Sequence, residues 1–231
     1  MIEYLFLDLD DTILDFHMAE YVALSKTLSS CGITPTDEIC ALYSRINQEH
    51  WEMLERKEIT RAQVLLGRFQ TLYDRLGIRK DASDVAEKYE ENLAQGHFFL
   101  PGAEEALHTL FENYKLYLVS NGTANVQEGR LKSAGIGKYF QEIFISQEIG
   151  ANKPDKVYFD RCFARIPDLD RKKAMIVGDS LTSDILGGIN AGIVTCWVAP
   201  EGKTARADIR PDYRIHSLAE LPDLLREINA N

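Results

Sequence analysis

Tyr4-Leu5-Phe6-Leu7-Asp8-Leu9-Asp10-Asp11-Thr12, close to the start of the chain, is the stretch from which the fold is read. Four consecutive apolar and aromatic residues make a run too short for a helix and of the kind that fills a buried strand. The run stops abruptly in an acidic cluster, so the strand ends in a polar loop that carries Asp8 and Asp10 two positions apart. The same pattern recurs: apolar residues 116–119 end in Ser120-Asn121-Gly122, residues 143–145 end in Ser146, and residues 174–177 end in Gly178-Asp179. A fifth strand is expected over residues 194–198. Helical periodicity separates several of these runs, for example over 126–133 and 157–165. Strand and helix in alternation predict an α/β fold built on a doubly wound parallel sheet.

Residues 16–96 break the alternation, showing only helical patterns. Gly32, the Thr34-Pro35 pair and Gly77 divide them into about four helices. Thr60 with Gln63 has capping-box spacing and should start one of these, and Asp81 with Ser83 or Asp84 should start the next. The expected organisation is a Rossmann-like core of residues 1–15 and 97–231, with a four-helix cap domain inserted as residues 16–96. No internal repeat, low-complexity run or flexible linker interrupts it.

A chain of 231 residues with a formal net charge of -10 has no electrostatic footprint for nucleic acid or an anionic membrane surface. No apolar stretch approaches the length of a membrane span. Cys31, Cys40, Cys162 and Cys196 form no CxxC pair and have no histidine at zinc-ligand spacing, so they read as reduced structural thiols. The expectation is a cytoplasmic protein. An acidic excess suits an enzyme of anionic substrates only if a bound cation reverses the local field.

Such a cation is what the strand ends call for. In an open parallel sheet the ligand site lies beyond the carboxyl ends of the strands. Asp8, Asp10, Asp179 and Asp184 converge there, and like charges so close raise one another's pKa unless neutralised. Mg²⁺ suits a set of oxygen ligands that leaves room for water and substrate phosphate. Lys153 lies in a loop that should face the same edge. A phosphoryl group placed there would meet the metal, this ammonium, the Ser120 hydroxyl and the N–H groups of Asn121 and Gly122. A carboxylate beside a metal is a covalent phosphoryl acceptor, and a second carboxyl two residues on can protonate the leaving alkoxide.

Asp8-Leu9-Asp10-Asp11-Thr12, Ser120-Asn121-Gly122, Lys153-Pro154 and Gly178-Asp179-Ser180-Leu181-Thr182-Ser183-Asp184 resemble, in order, the four motifs of the haloacid-dehalogenase superfamily. The resemblance implies a phosphohydrolase with Asp8 as nucleophile and metal ligand. It implies Asp10 as general acid and base with its backbone carbonyl on Mg²⁺, and Thr12 as support for the loop. Ser120 and Asn121 would hold phosphoryl oxygens, Lys153 would neutralise charge, Asp179 would complete the metal ligands, and Asp184 would orient Lys153 or a metal-bound water. An acid two residues after the nucleophile favours phosphate transfer over dehalogenation, since halide leaves without protonation. The interval between Ser120 and Lys153 is too short for the superfamily's larger cap, so a small-molecule phosphomonoester is expected.

Asp11 to Phe16, Glu58-Ile59-Thr60-Arg61, Gly67-Arg68-Phe69 and Gly187-Gly188 are similar to the pyrimidine 5'-nucleotidase branch, which removes phosphate from nucleoside monophosphates. Phe16 and Trp51 would then stack on a base, and Arg56, Arg61 and Arg68 would reach its polar edges. Plainer alternatives stand beside these. Trp51 sits among Ile46 and Leu54 as a packing residue would, the cap arginines suit pairing with nearby glutamates, and Asp11 and Asp15 suit helix capping. His17, beside Phe16, is near enough in sequence to approach a substrate. A sugar-phosphate phosphatase or phosphomutase is the rival within the same chemistry, and a non-catalytic receiver-like module the rival outside it.

Overall fold

In the computed structural model, which describes residues 1–230, all four residues of β1 (Tyr4–Leu7) are buried and feed both faces of one sheet. The other strands are β2 (Lys115–Ser120), β3 (Glu142–Ile145), β4 (Ala174–Gly178), β5 (Val194–Val198) and β6 (Tyr213–Ile215). All pair in parallel, in the order β3-β2-β1-β4-β5-β6. The chain therefore reverses its direction of winding between β1 and β4. Beyond the carboxyl ends of strands at such a switch point lies a crevice where ligands bind. Leu7 is in register with Leu118 and Val177, so Asp8 emerges from the sheet level with Val119 and Gly178. Two expectations are adjusted. Ser120 closes β2 rather than opening the loop, and a short edge strand, β6, was not anticipated because only one of its three residues, Ile215, is buried.

Alternation along the strands divides the core by face. Leu5, Leu7, Leu116, Leu118, Met175 and Val177 pack against α5 (Ala103–Asn113), α6 (Ala124–Ala134) and α10 (Leu221–Ala230). Tyr4, Phe6, Tyr117, Val119 and Ile176 pack against α8 (Lys156–Phe163) and α9 (Leu186–Ala191). A single helical turn, Ser146–Ile149, numbered α7, follows β3. Every one of these contacts removes apolar surface from water on both sides of the sheet, as a doubly wound fold requires.

Between β1 and β2 lie α1 (Phe16–Ser30), α2 (Asp37–Glu55), α3 (Arg61–Leu76) and α4 (Ser83–Leu93). They have a core of their own, centred on Tyr43, Phe69 and Tyr89, whose ring centroids stand 4.9–5.3 Å apart. The Thr60–Gln63 capping box is formed as its spacing predicts. Asp81 accepts hydrogen bonds from the Ser83 N–H and hydroxyl, but the residue flanking α4 is Ala82, which has no side chain to cap with. No helix among the described residues is long and apolar enough to cross a membrane.

Close approach of α9 to the sheet depends on Gly188. A Cβ there would collide with Ile176 Cγ2 and stand 2.7 Å from Thr195 Cγ2. Gly188→Ala is expected to destabilise the protein by about 1–3 kcal/mol through overpacking, read as a lower midpoint in denaturant with an unchanged slope.

Candidate active site

Lys153 is the buried cation of the switch point. Its Nζ donates to Asp8 Oδ1 at 2.6 Å, Asp184 Oδ1 at 2.7 Å and the carbonyl oxygen of Val119 at 2.9 Å, using all three ammonium hydrogens. Burial works to lower the pKa of this ammonium, and the carboxylates of Asp184 and Asp8 outweigh it, so the group stays protonated. Asp184 enters from the π-helical turn Leu181–Ile185, and its Oδ2 accepts from the Ser180 N–H. The carboxyl of Asp8 is pushed up by burial and by Asp184, Asp10 and Asp179, with Lys153 opposing. Burial and Asp184 push Asp179 up to about 7.

One ligand oxygen from each of Asp8, Asp179 and Asp184 falls within 4.8 Å of the others. Asp8 Oδ2 and Asp179 Oδ1 accept no hydrogen bond among the described residues, while both oxygens of Asp184 are engaged. An all-oxygen set with more carboxylate than ammonium fits a hard divalent cation, held by Asp8 and Asp179 with Asp184 behind them.

Around this cluster stand the other residues expected from the sequence. Ser120 Oγ accepts from the Gly122 N–H at 3.1 Å and from Gln127 Nε2 at 2.8 Å, which leaves its own hydrogen to donate. The Asn121 side chain is committed to the Lys153 loop. Its Oδ1 accepts from Lys153 N at 2.9 Å, and its Nδ2 donates to the Lys153 carbonyl at 2.9 Å and to Ser183 Oγ. Asn121 and Gly122 thus contribute to the cavity through a braced backbone. Thr12 is fully buried with no hydrogen-bond partner for its hydroxyl, so it supports the loop by packing. Asp15 caps α1, and Asp11 accepts from the Phe16 N–H. Both are therefore employed in local structure, with His17 3.5 Å from Asp11. Ser146 is buried and bonded to Arg61, away from the cavity.

Asp10 is turned from the carboxylate cluster. One of its oxygens pairs with Arg130 and the other accepts from Gln127 Nε2 at 2.7 Å. Arg130 and Gln127 share a face of α6 and escaped the sequence reading, because nothing in a helical pattern separates them from ordinary surface residues. Arg130 also donates from Nε to the Gly96 carbonyl, where the chain returns from the four helices.

A cavity of about 210 Å³ opens on these groups, room for a small organic molecule. The helical layer contributes Phe16, Trp51, Glu55, Arg68, Glu90 and Leu93 to its wall. Of the three arginines considered for base recognition, none has a free guanidinium. Arg56 pairs with Glu58 and Glu52, Arg68 is buried against Glu90 and Asn47, and Arg61 binds the loops of the sheet layer.

Comparison with known proteins places this architecture among relatives. Residues 4–198 match the model of the haloacid dehalogenase-like hydrolase family. The chain is 39% identical to the HAD-hydrolase YfnB of Bacillus subtilis, over 96% of this chain and 94% of that protein. It is 37% identical to the pyrimidine 5'-nucleotidase PynA of Streptococcus pneumoniae, with 96% and 94% covered. It is 32% identical to the pyrimidine 5'-nucleotidase YjjG of Escherichia coli, with 96% and 97% covered. The crystal structure of magnesium-bound YfnB, which reveals interdomain movement in that protein, superposes with a TM-score of 0.93 at 38% identity, covering 97% and 98% of the two chains.

Removing the ammonium alone leaves Asp8 and Asp184 facing each other in the interior. Lys153→Met is expected to cost about 3–5 kcal/mol of stability at neutral pH, measured by denaturant unfolding. A carboxyl whose folded pKa exceeds its unfolded value stabilises the fold below the unfolded value and loses that contribution as pH rises. The deficit should therefore shrink towards pH 4.

Proposed function

This chain belongs to the haloacid dehalogenase-like hydrolase family, and within it we propose a Mg²⁺-dependent phosphomonoester hydrolase that uses Asp8 as nucleophile. The observation that carries the proposal is the Asp8 carboxylate, held against Lys153 beside Asp179 and Asp184, with the Asp10 carboxyl two residues on. Residues 16–96 act as the cap and residues 1–15 with 97–231 as the catalytic core.

Asp8, Asp179 and the backbone carbonyl of Asp10 would hold Mg²⁺, which would supply positive charge to the phosphoryl oxygens and the nucleophile. Asp8 attacks phosphorus, the bond to the ester oxygen breaks, and Asp10 gives that oxygen a proton. Lys153, the Ser120 hydroxyl and the N–H groups of the following turn stabilise the charge on the transferred group. In the second half Asp10 takes a proton from water as the water attacks phosphorus. The bond to Asp8 then breaks, releasing phosphate and restoring the carboxylate. The helical layer excludes bulk water from the first half.

Nucleoside 5'-monophosphates are the substrates proposed, on the strength of two relatives that are pyrimidine 5'-nucleotidases. Phe16 and Trp51 both line the cavity and offer faces for a base. A phosphomutase needs a second phosphate site in the cap, and the engagement of Arg56, Arg61 and Arg68 argues against one.

With Mg²⁺ present, purified protein should release phosphate from deoxyuridine and thymidine monophosphates faster than from hexose phosphates. Asp8→Asn should abolish release. A preference for sugar phosphates would retain the chemistry and refute the substrate class, whereas activity surviving in Asp8→Asn would refute the chemistry.

A further inference from the structure

Arg61 opens α3 in the helical layer, yet the hydrogen bonds of its side chain all reach the sheet layer. Nη1 donates to the carbonyl oxygens of Asn121 at 2.8 Å and Gly122 at 2.9 Å. Nη2 donates to Ser146 Oγ at 2.6 Å and Asn152 Oδ1 at 2.8 Å. One guanidinium thus ties the turn after β2 to the start of α7 and to the residue before Lys153. The Trp51 ring lies 5.6 Å from the guanidinium carbon and covers it.

Peptide planarity turns these bonds into a statement about the loop. A trans peptide points its C=O and the following N–H in opposite directions. With the carbonyls of Asn121 and Gly122 turned onto Arg61, the N–H groups of Gly122 and Thr123 point away from it, and the first meets Ser120 Oγ at 3.1 Å. The cation also neutralises two carbonyl dipoles that would repel a phosphate if the turn flipped over. Four acceptors on one planar fork call for arginine, since lysine offers a point charge. Other bonds between the layers, Thr182 to Glu55, Thr123 to Glu90 and Lys57 to Asp155, each join two side chains and leave the 121–122 carbonyls alone.

We propose that Arg61 is a positioning residue through which the seated helical layer assembles the phosphate-binding turn. With the layer in place, Arg61 holds the turn with its N–H groups inward; with the layer lifted, the turn loses that constraint. The proposal rests on Ser120–Gly122 being the phosphate cradle.

The test uses the full chain with Mg²⁺. It measures kcat/KM for a nucleotide, a hexose phosphate and an aryl phosphate, together with inhibition by inorganic phosphate. Arg61→Ala is expected to lower kcat/KM on the order of 10²-fold, the cost of about 1 Å of misplacement, by the same factor for all three substrates. It should also weaken inhibition by phosphate. Arg61→Lys should recover only part of the loss, and it serves if the alanine variant fails to fold. Lys57→Ala, which removes a different bond between the layers, should stay near wild type. Loss confined to one substrate, equal loss in Lys57→Ala, or no loss in either Arg61 variant would overturn the proposal. Ser120→Ala separates the two levels. If it weakens phosphate inhibition while both Arg61 variants are unaffected, only the positioning role falls; if it has no effect, the cradle falls and the proposal with it.

Discussion

A buried ammonium is costly unless every hydrogen finds a partner, and Lys153 meets that condition with Asp8, Asp184 and the Val119 carbonyl. Because the three acceptors come from the ends of β1 and β2 and from the turn after β4, satisfying one charge fixes three segments relative to one another. Space reinforces the electrostatics. A Cβ at Gly178 would collide with the Asp184 carboxyl, so the close of β4 must lack a side chain for Asp184 to reach Lys153. The site is in this sense over-determined by the sheet.

The helical layer completes what the sheet begins. Arg130, fully buried in the sheet layer, joins the Asp10 carboxyl to the Gly96 carbonyl at the return from the four helices. Arg68 runs the other way, linking Asn47 within that layer to Glu90, whose second oxygen accepts from Thr123 at 2.9 Å. Both buried guanidinium groups are ion-paired, which offsets part of the cost of burying their charge, while Arg68 Nε and Arg130 Nη2 have no hydrogen-bond partner among the described residues. The net charge of -10, unhelpful to an anionic substrate at a distance, is only partly offset in the cavity by Lys153 and these arginines, whose charges are already paired with carboxylates.

How much of this was legible follows from where each signal lives. β1 and β4 announce themselves as short apolar runs ending in acid, so Asp8 and Asp179 could be placed at strand ends facing one crevice from sequence, while the pairing of β1 with β4 could not. The Thr60–Gln63 box is local chemistry and was readable for the same reason. Arg61 was read only as a base contact and Gln127 and Arg130 were not read at all, since the partners Asn121, Asp10 and Gly96 lie 34 to 117 residues away and a helical pattern carries no mark of them. Asn121 was legible as a member of the site, but its side chain serves the Lys153 loop, a task visible only when the two loops are side by side. Asp81 failed as the cap of α4 by one position, the usual scale of boundary error where several polar residues compete.

The account turns on a covalent bond between phosphorus and Asp8. Acid quenching of the enzyme during turnover with Mg²⁺ and a nucleoside monophosphate, followed by peptide mass mapping, tests it directly. The account predicts a fraction of protein heavier by one phosphoryl group, with the added mass on the peptide containing Asp8 and absent from Asp8→Asn. Turnover with no acyl phosphate at any time point, or with the phosphoryl group on another residue, would contradict it.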